Sequence, residues 1–185
     1  MTRKHDMRDA SPHRSAPRVV RAARKIPLVA MVFRRLTPRQ QEILSLLKST
    51  PLFGHLADPE LIEVLQIVHE RAYGPGEAIV TQGEPGLGLY ILMRGEAEVL
   101  QHGEERGQRV ARLGPGEVFG DVSFVDHSPR SATVVACQRV EAIGLYRTEL
   151  LGLMDRRPQL ASKILFALAR QLATRLRAML QTGAR

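Results

Sequence analysis

Between Val118 and Ala136 the chain reads VFGDVSFVDHSPRSATVVA, and several of these side chains are of types that do chemistry together. Gly120 admits close backbone approach. The DVSF that follows has the make-up of a single helical turn, and the free N–H groups at the start of such a turn favour an anion. Arg130 supplies a permanent planar cation whose fork of donors matches phosphate oxygens. Ser131 adds a hydroxyl and Ala132 an unhindered N–H, while Val122, Ser123 and Thr133 complete the two halves of the stretch. Asp121 would repel a phosphate set directly against it, so its carboxylate suits a sugar hydroxyl instead. A phosphate beside a sugar is the outline of a nucleotide.

Other chemistries find little support. The six histidines, His5, His13, His55, His69, His102 and His127, are scattered without ligand spacing. Cys137 is the lone cysteine, which rules out an internal disulfide or a cysteine-rich metal cluster; its place in a predicted strand points to the core, and a reducing compartment follows. Walker loops, nucleophile motifs and carboxylate pairs are missing, and Ser131 has no evident base partner. The Gly-Glu-Pro-Gly-Leu-Gly run at 83–88 reads as a hairpin turn because no helical pattern follows it. The chain is expected to bind rather than to catalyse, without metal or cofactor.

The elements that must hold the loop are legible on either side. In LTPRQQEILSLL, Thr37 can cap, Pro38 fits the first helical position and Gln40 completes a capping box, with Ile43, Leu44 and Leu47 on one face. ADPELIEVLQIVHERA repeats apolar residues at helical spacing, so helices are expected over 37–72. From Tyr73 to Arg147 glycine punctuates short runs rich in Val, Ile, Leu and Tyr: AIVTQ, GLYILMR, EAEVLQ, RVARL, ATVVA and EAIGLY. Strands at that interval argue for a sandwich or barrel. YGPGEAIV and LGPGEVFG echo one another at Tyr73 and Leu113, as two equivalent sharp corners would. Helical texture returns over 148–182. There Leu160, Ile164, Leu165, Leu168, Leu172, Leu176 and Met179 form one stripe, opposed by Lys163, Arg170, Arg175 and Arg177.

Charge is unevenly placed. Residues 1–39 carry 11 Lys and Arg against 2 Asp, whereas 40–185 carry 16 basic and 17 acidic residues. Residues 1–36 therefore read as a basic, solvated extension. It could contact a protein partner or, nonspecifically through 1–39, nucleic acid. The eight apolar residues Ile26–Phe33 fall far short of the roughly 20 that span a bilayer and lack the pattern of an export signal. A cytoplasmic protein is expected.

FGDVSFVDHSPRSAT resembles the phosphate-binding cassette of cyclic nucleotide-binding domains, whose usual form is F-G-E-[LIA]-[AS]-L, a few residues, then P-R-[AS]-A-[ST]. The likeness extends through LFGHL, YGPGEAIVTQGEPGLGLYILMRGEAEV and LGPGEVFGD to the last two helices, from about Leu47 to Gln181. It implies an eight-stranded jelly-roll barrel, or double-stranded β-helix, with N-terminal helices and a long C-terminal helix that acts as a lid. The implied ligand is cAMP or cGMP. Carried over by position, Gly120 and Asp121 meet the ribose 2′-hydroxyl, Arg130 and Ser131 the cyclic phosphate, and Ala132 adds its N–H. Asp121 stands where the family has glutamate, so its carboxylate reaches about 1 Å less far, enough to weaken a hydrogen bond. Phe124 replaces the usual leucine.

The resemblance thus implies a non-catalytic sensor, for cAMP before cGMP, that relays its ligand state through the C-terminal helix to a protein effector. A homodimer through that helix is a further expectation. Catabolite-activator-type members continue into a winged helix, and none is expected in a chain that runs to Arg185. The alternative is a ligand-free dimerisation or interaction module whose basic tail contacts a protein or nucleic acid.

Overall fold

The computed structural model describes residues 36–101 and 108–182. The basic extension, the apolar run from Ile26, and Gly103 and Gly107 fall outside the described residues. Helix α1 (Pro38–Ser49) starts on the capping box that its sequence promises: Thr37 Oγ1 accepts from the Gln40 N–H at 3.2 Å, and Gln40 Oε1 accepts from the Thr37 N–H at 2.9 Å. Helix α2 (Asp58–Leu65) is capped by Glu60, which accepts from the Ala57 N–H at 2.9 Å. It ends well before residue 72. Val68–Tyr73 is instead strand β1, paired antiparallel from Val68↔Leu145 to Tyr73↔Val140, so the helical reading of 66–72 is corrected. A full ladder with a neighbouring strand outweighs the modest local preference.

Among the described residues seven strands follow: β2 (Ala78–Val80), β3 (Gly88–Arg94), β4 (Ala97–Gln101), β5 (Gln108–Leu113), β6 (Val118–Phe119), β7 (Thr133–Ala136) and β8 (Val140–Tyr146). The short helix α3 (Asp121–Asp126) lies between β6 and β7, and α4 (Arg147–Arg156) and α5 (Pro158–Thr182) close the chain. The strands form two four-stranded antiparallel sheets of order β1-β8-β3-β6 and β2-β7-β4-β5, the jelly-roll arrangement as a two-sheet sandwich rather than a closed barrel.

Strand β3 shows why alternation is hidden in the sequence. Leu89, Ile91 and Met93 pack outward with Leu47, Phe53, Leu61, Ile164 and Leu168 of the helical layer, while Tyr90 and Leu92 face inward with Ile79, Val134 and Ala136 of the opposite sheet. Both faces are covered, so the strand is apolar along nearly its whole length.

The two Gly-Pro-Gly-Glu corners are structural equivalents. Each carries the chain from one sheet to the other, β1 to β2 and β5 to β6. Gly76 and Gly116 adopt φ of 78° and 87°, and Glu77 and Glu117 accept from the first glycine's N–H at 2.8 and 2.6 Å. The 83–88 run is not a hairpin, because the strands it joins, β2 and β3, belong to different sheets. Cys137 is also corrected: it follows the end of β7 and is exposed.

Candidate functional site

Helix α3 is bounded at both ends by left-handed residues, Gly120 at φ 74° and His127 at φ 62°. Gly120 is required twice over: only glycine takes that φ without strain, and a Cβ there would stand 2.5 Å from Arg130 Nη1. The resulting tight turn brings the two halves of the predicted loop together. Gly120, Asp121, Val122, Ser123, Arg130, Ser131 and Ala132 all line one cavity of about 790 Å³, a volume in the range of small-molecule sites. Thr133 stands apart, with its Oγ1 accepting from the Gln82 N–H at 3.0 Å.

Arg130 is 6% exposed and has no carboxylate partner among the described residues. Its Nη1 donates to the Gly120 carbonyl at 3.0 Å and to Ser123 Oγ at 2.8 Å, and its Nη2 donates to the Gly88 carbonyl at 2.6 Å. Its guanidinium carbon lies 5.9 Å from the centre of the Tyr90 ring, which stacks on Phe119. These contacts engage three of five N–H donors and leave Nε and one Nη2 hydrogen. Burial lowers the guanidinium's pKa, and nearby Arg147 adds to the effect. A buried cation held by dipoles alone is a place where an anion gains much, since little of its own desolvation is offset by neighbours.

Asp121 has partners that its sequence neighbours do not announce. It is 2% exposed, and α5 satisfies it: Arg175 Nη1 donates to its two oxygens at 2.8 and 2.7 Å, and Gln171 Nε2 donates at 3.0 Å. Arg175 Nη2 also donates to the Val118 carbonyl at 2.5 Å. Arg175 therefore turns toward the site, not outward with Lys163, Arg170 and Arg177 as the helical stripe suggests. Leu172, Leu176 and Met179 complete the cavity wall opposite Val99, Val110 and Leu113.

One further cation supports the cassette from behind. Arg147, at the start of α4, donates from Nε to the Phe124 carbonyl at 3.1 Å and from Nη2 to the carbonyls of Gly86 and Ser123 at 2.9 and 2.6 Å. The 83–88 run packs so closely on α3 that a Cβ at Gly86 would sit 2.3 Å from Ser123 Oγ. Only the tertiary approach of distant segments reveals Arg147, Gln171 and Arg175 as members of the site. A cation beside an acid on an unplaced helix gives no such signal.

Residues 70–157 match the family model described as cyclic nucleotide-binding domain. A solved cyclic nucleotide-binding domain from Methylobacillus flagellatus superposes with a TM-score of 0.68 at 30% identity, over 76% of this chain and 79% of that one. The chain belongs to the cyclic nucleotide-binding domain family. It is also 37% identical over 129 residues to the cyclic AMP receptor protein of Thermus thermophilus, covering 68% of this chain and 59% of that protein. To a putative potassium channel protein of Rhodopseudomonas palustris it is 31% identical over 148 residues, 79% of this chain and 36% of the channel. The chain thus spans between a third and three fifths of those two relatives' lengths. Among the described residues, no helix is long and apolar enough to cross a membrane.

Proposed function

We propose that this domain is a non-catalytic cytoplasmic sensor that binds a cyclic nucleotide, cAMP in preference to cGMP, and reports occupancy through α5. One observation carries the reading: Arg130 lines the cavity as a buried guanidinium without a carboxylate partner among the described residues, beside the start of α3 and Ala132. A singly charged cyclic phosphate supplies the missing counter-ion. The preference for adenine is supported by the apolar wall of Val99, Val110, Leu113, Leu172, Leu176 and Met179, which penalises the more polar guanine. The cyclic AMP receptor protein among its relatives points the same way.

The relay follows from Asp121. Its carboxylate joins the cassette to Gln171 and Arg175, so a ribose hydroxyl that bonds Asp121 acts on the same atoms that hold α5. Such a shared residue lets ligand bias the helix between two positions. A protein effector reads that position. A second copy of the chain covers the far end of α5, where Leu176, Met179 and Leu180 are 57%, 69% and 65% exposed.

The test is calorimetric titration of the protein with cAMP and cGMP, beside Arg130→Ala checked for folding by circular dichroism. Saturable binding at micromolar or tighter affinity, stronger for cAMP and lost in the variant, is expected. Absence of heat and of thermal stabilisation with either nucleotide would refute the sensor and leave a ligand-free interaction module.

A further inference from the structure

A second cavity of about 730 Å³ lies against α5, between that helix and the loop joining α1 to α2. On α5 it runs from Ser162 to Arg175, which at about 1.5 Å per residue is a groove roughly 20 Å long. That is the reach of a linear segment of some three to four helical turns. Its walls combine an apolar strip, Pro51, Phe166 and Ala167, with His55, Lys163, Arg170 and Arg175, and no acidic residue lines it among the described residues. Phe166 is 69% exposed, an unusual position for a large aromatic ring. Lys163 is paired with Glu60 and Arg175 with Asp121, but Arg170 has no carboxylate partner among the described residues.

We infer that this groove docks an acidic amphipathic helix from a partner protein, with an apolar side chain on Phe166 and Ala167 and a carboxylate on Arg170. Charge selects this occupant. The chain's own first 39 residues carry 11 Lys and Arg against 2 Asp and would be repelled. A second α5 would bring Lys163, Arg170, Arg175 and Arg177 against the same cations. Helix-in-groove recognition of this kind needs only a few apolar anchors at helical spacing and a complementary rim.

The groove is also wired to the first cavity. Arg175 lines both, and Gln171 lines the groove while donating to Asp121. A carboxylate that draws Arg175 toward the groove loosens the hold of α5 on the cassette, so helix docking and nucleotide binding oppose each other. Linkage makes that opposition reciprocal. This coupling rests on the nucleotide reading, whereas docking itself does not.

The experiment is fluorescence anisotropy with the full chain and a labelled 14-residue probe of Glu residues with Leu and Phe at positions i, i+4 and i+7, first without nucleotide. Saturable binding is expected, weakened at least tenfold by Arg170→Ala and by Phe166→Ala; both are exposed positions outside the nucleotide cavity and leave cAMP titration unchanged. Failure of the probe to bind overturns the proposal. So does binding that survives both substitutions, which would belong to the basic N-terminal residues, or equal binding of a Lys-for-Glu probe. Sedimentation that shows a dimer dissolved by Phe166→Ala would assign the groove to a second copy instead. Saturating cAMP, where calorimetry shows that it binds, is expected to weaken the probe about fivefold; no change there overturns the coupling alone.

Discussion

The tie between α5 and the cassette can be broken at one atom group. Arg175→Met keeps the length and apolar stem of the side chain while removing its donors to both oxygens of Asp121 and to the Val118 carbonyl. Among the described residues, Gln171 at 3.0 Å is then the side chain left to Asp121. Removing one partner of a fully buried ion pair costs about 3–5 kcal/mol, whereas exposed pairs are worth about 1 or less. Here the acid side chain is 2% exposed and the arginine 43%, so solvent screens one end and the cost falls between, about 2 kcal/mol. Because α5 can lift to hydrate the acid, that cost appears as opening of the helix end rather than global unfolding. A change of about 2 kcal/mol is roughly a 30-fold rise in the open population. Amide hydrogen exchange over residues 172–182 reads it directly, as a corresponding loss of protection with the β-sandwich unchanged. The cycle with Asp121→Asn isolates the pair, with a coupling of about 1–2 kcal/mol expected. Unchanged protection in α5, or a coupling near zero, would show that Arg175 is a surface cation and that α5 is held by its apolar stripe alone.

Three further outcomes follow from the same geometry. Arg147→Ala frees the carbonyls of Gly86, Ser123 and Phe124 without touching the cavity; titration should show about tenfold weaker nucleotide binding, and an unchanged affinity would limit Arg147 to stability. Gly120→Ala forces a Cβ into a left-handed position 2.5 Å from Arg130 Nη1. Its cost of about 2 kcal/mol or more should lower the melting temperature and abolish binding together. Burial pushes the Tyr73 phenol up to about 12. A phenol whose folded pKa is raised stabilises the fold fully below its ordinary value near 10 and loses that contribution as pH rises toward 12, so ultraviolet titration should show Tyr73 ionising late and chemical denaturation should show stability falling across that window.

Much of the site is local in sequence because one tight loop builds it. Gly120, Asp121, Ser123, Arg130, Ser131 and Ala132 lie within 13 positions, so their residue types and order single out the loop before any fold is known, and the fold brings all six to one cavity wall. The same holds for the two Gly-Pro-Gly-Glu corners, where a positive φ and a carboxylate returning to the first glycine's N–H are properties of four consecutive residues. The capping box at Thr37 is equally local.

What local order does not contain is which distant group arrives at each polar atom. Residues 66–72 carry helical periodicity, yet from Val68 onward they join β1 because β8 offers a complete ladder. Cys137 sits in a strand-like run and is exposed because the ladder ends at Ala136. Asp121 looks, from its neighbours, like a group awaiting a sugar hydroxyl; the approach of α5, some 50 residues later, gives it Gln171 and Arg175. The chemistry of this loop is written in the order of its residues, because covalent spacing of a few bonds places them. Its coupling to the rest of the molecule is decided by the tertiary structure, because a buried charge takes its partner from whichever element packs over it.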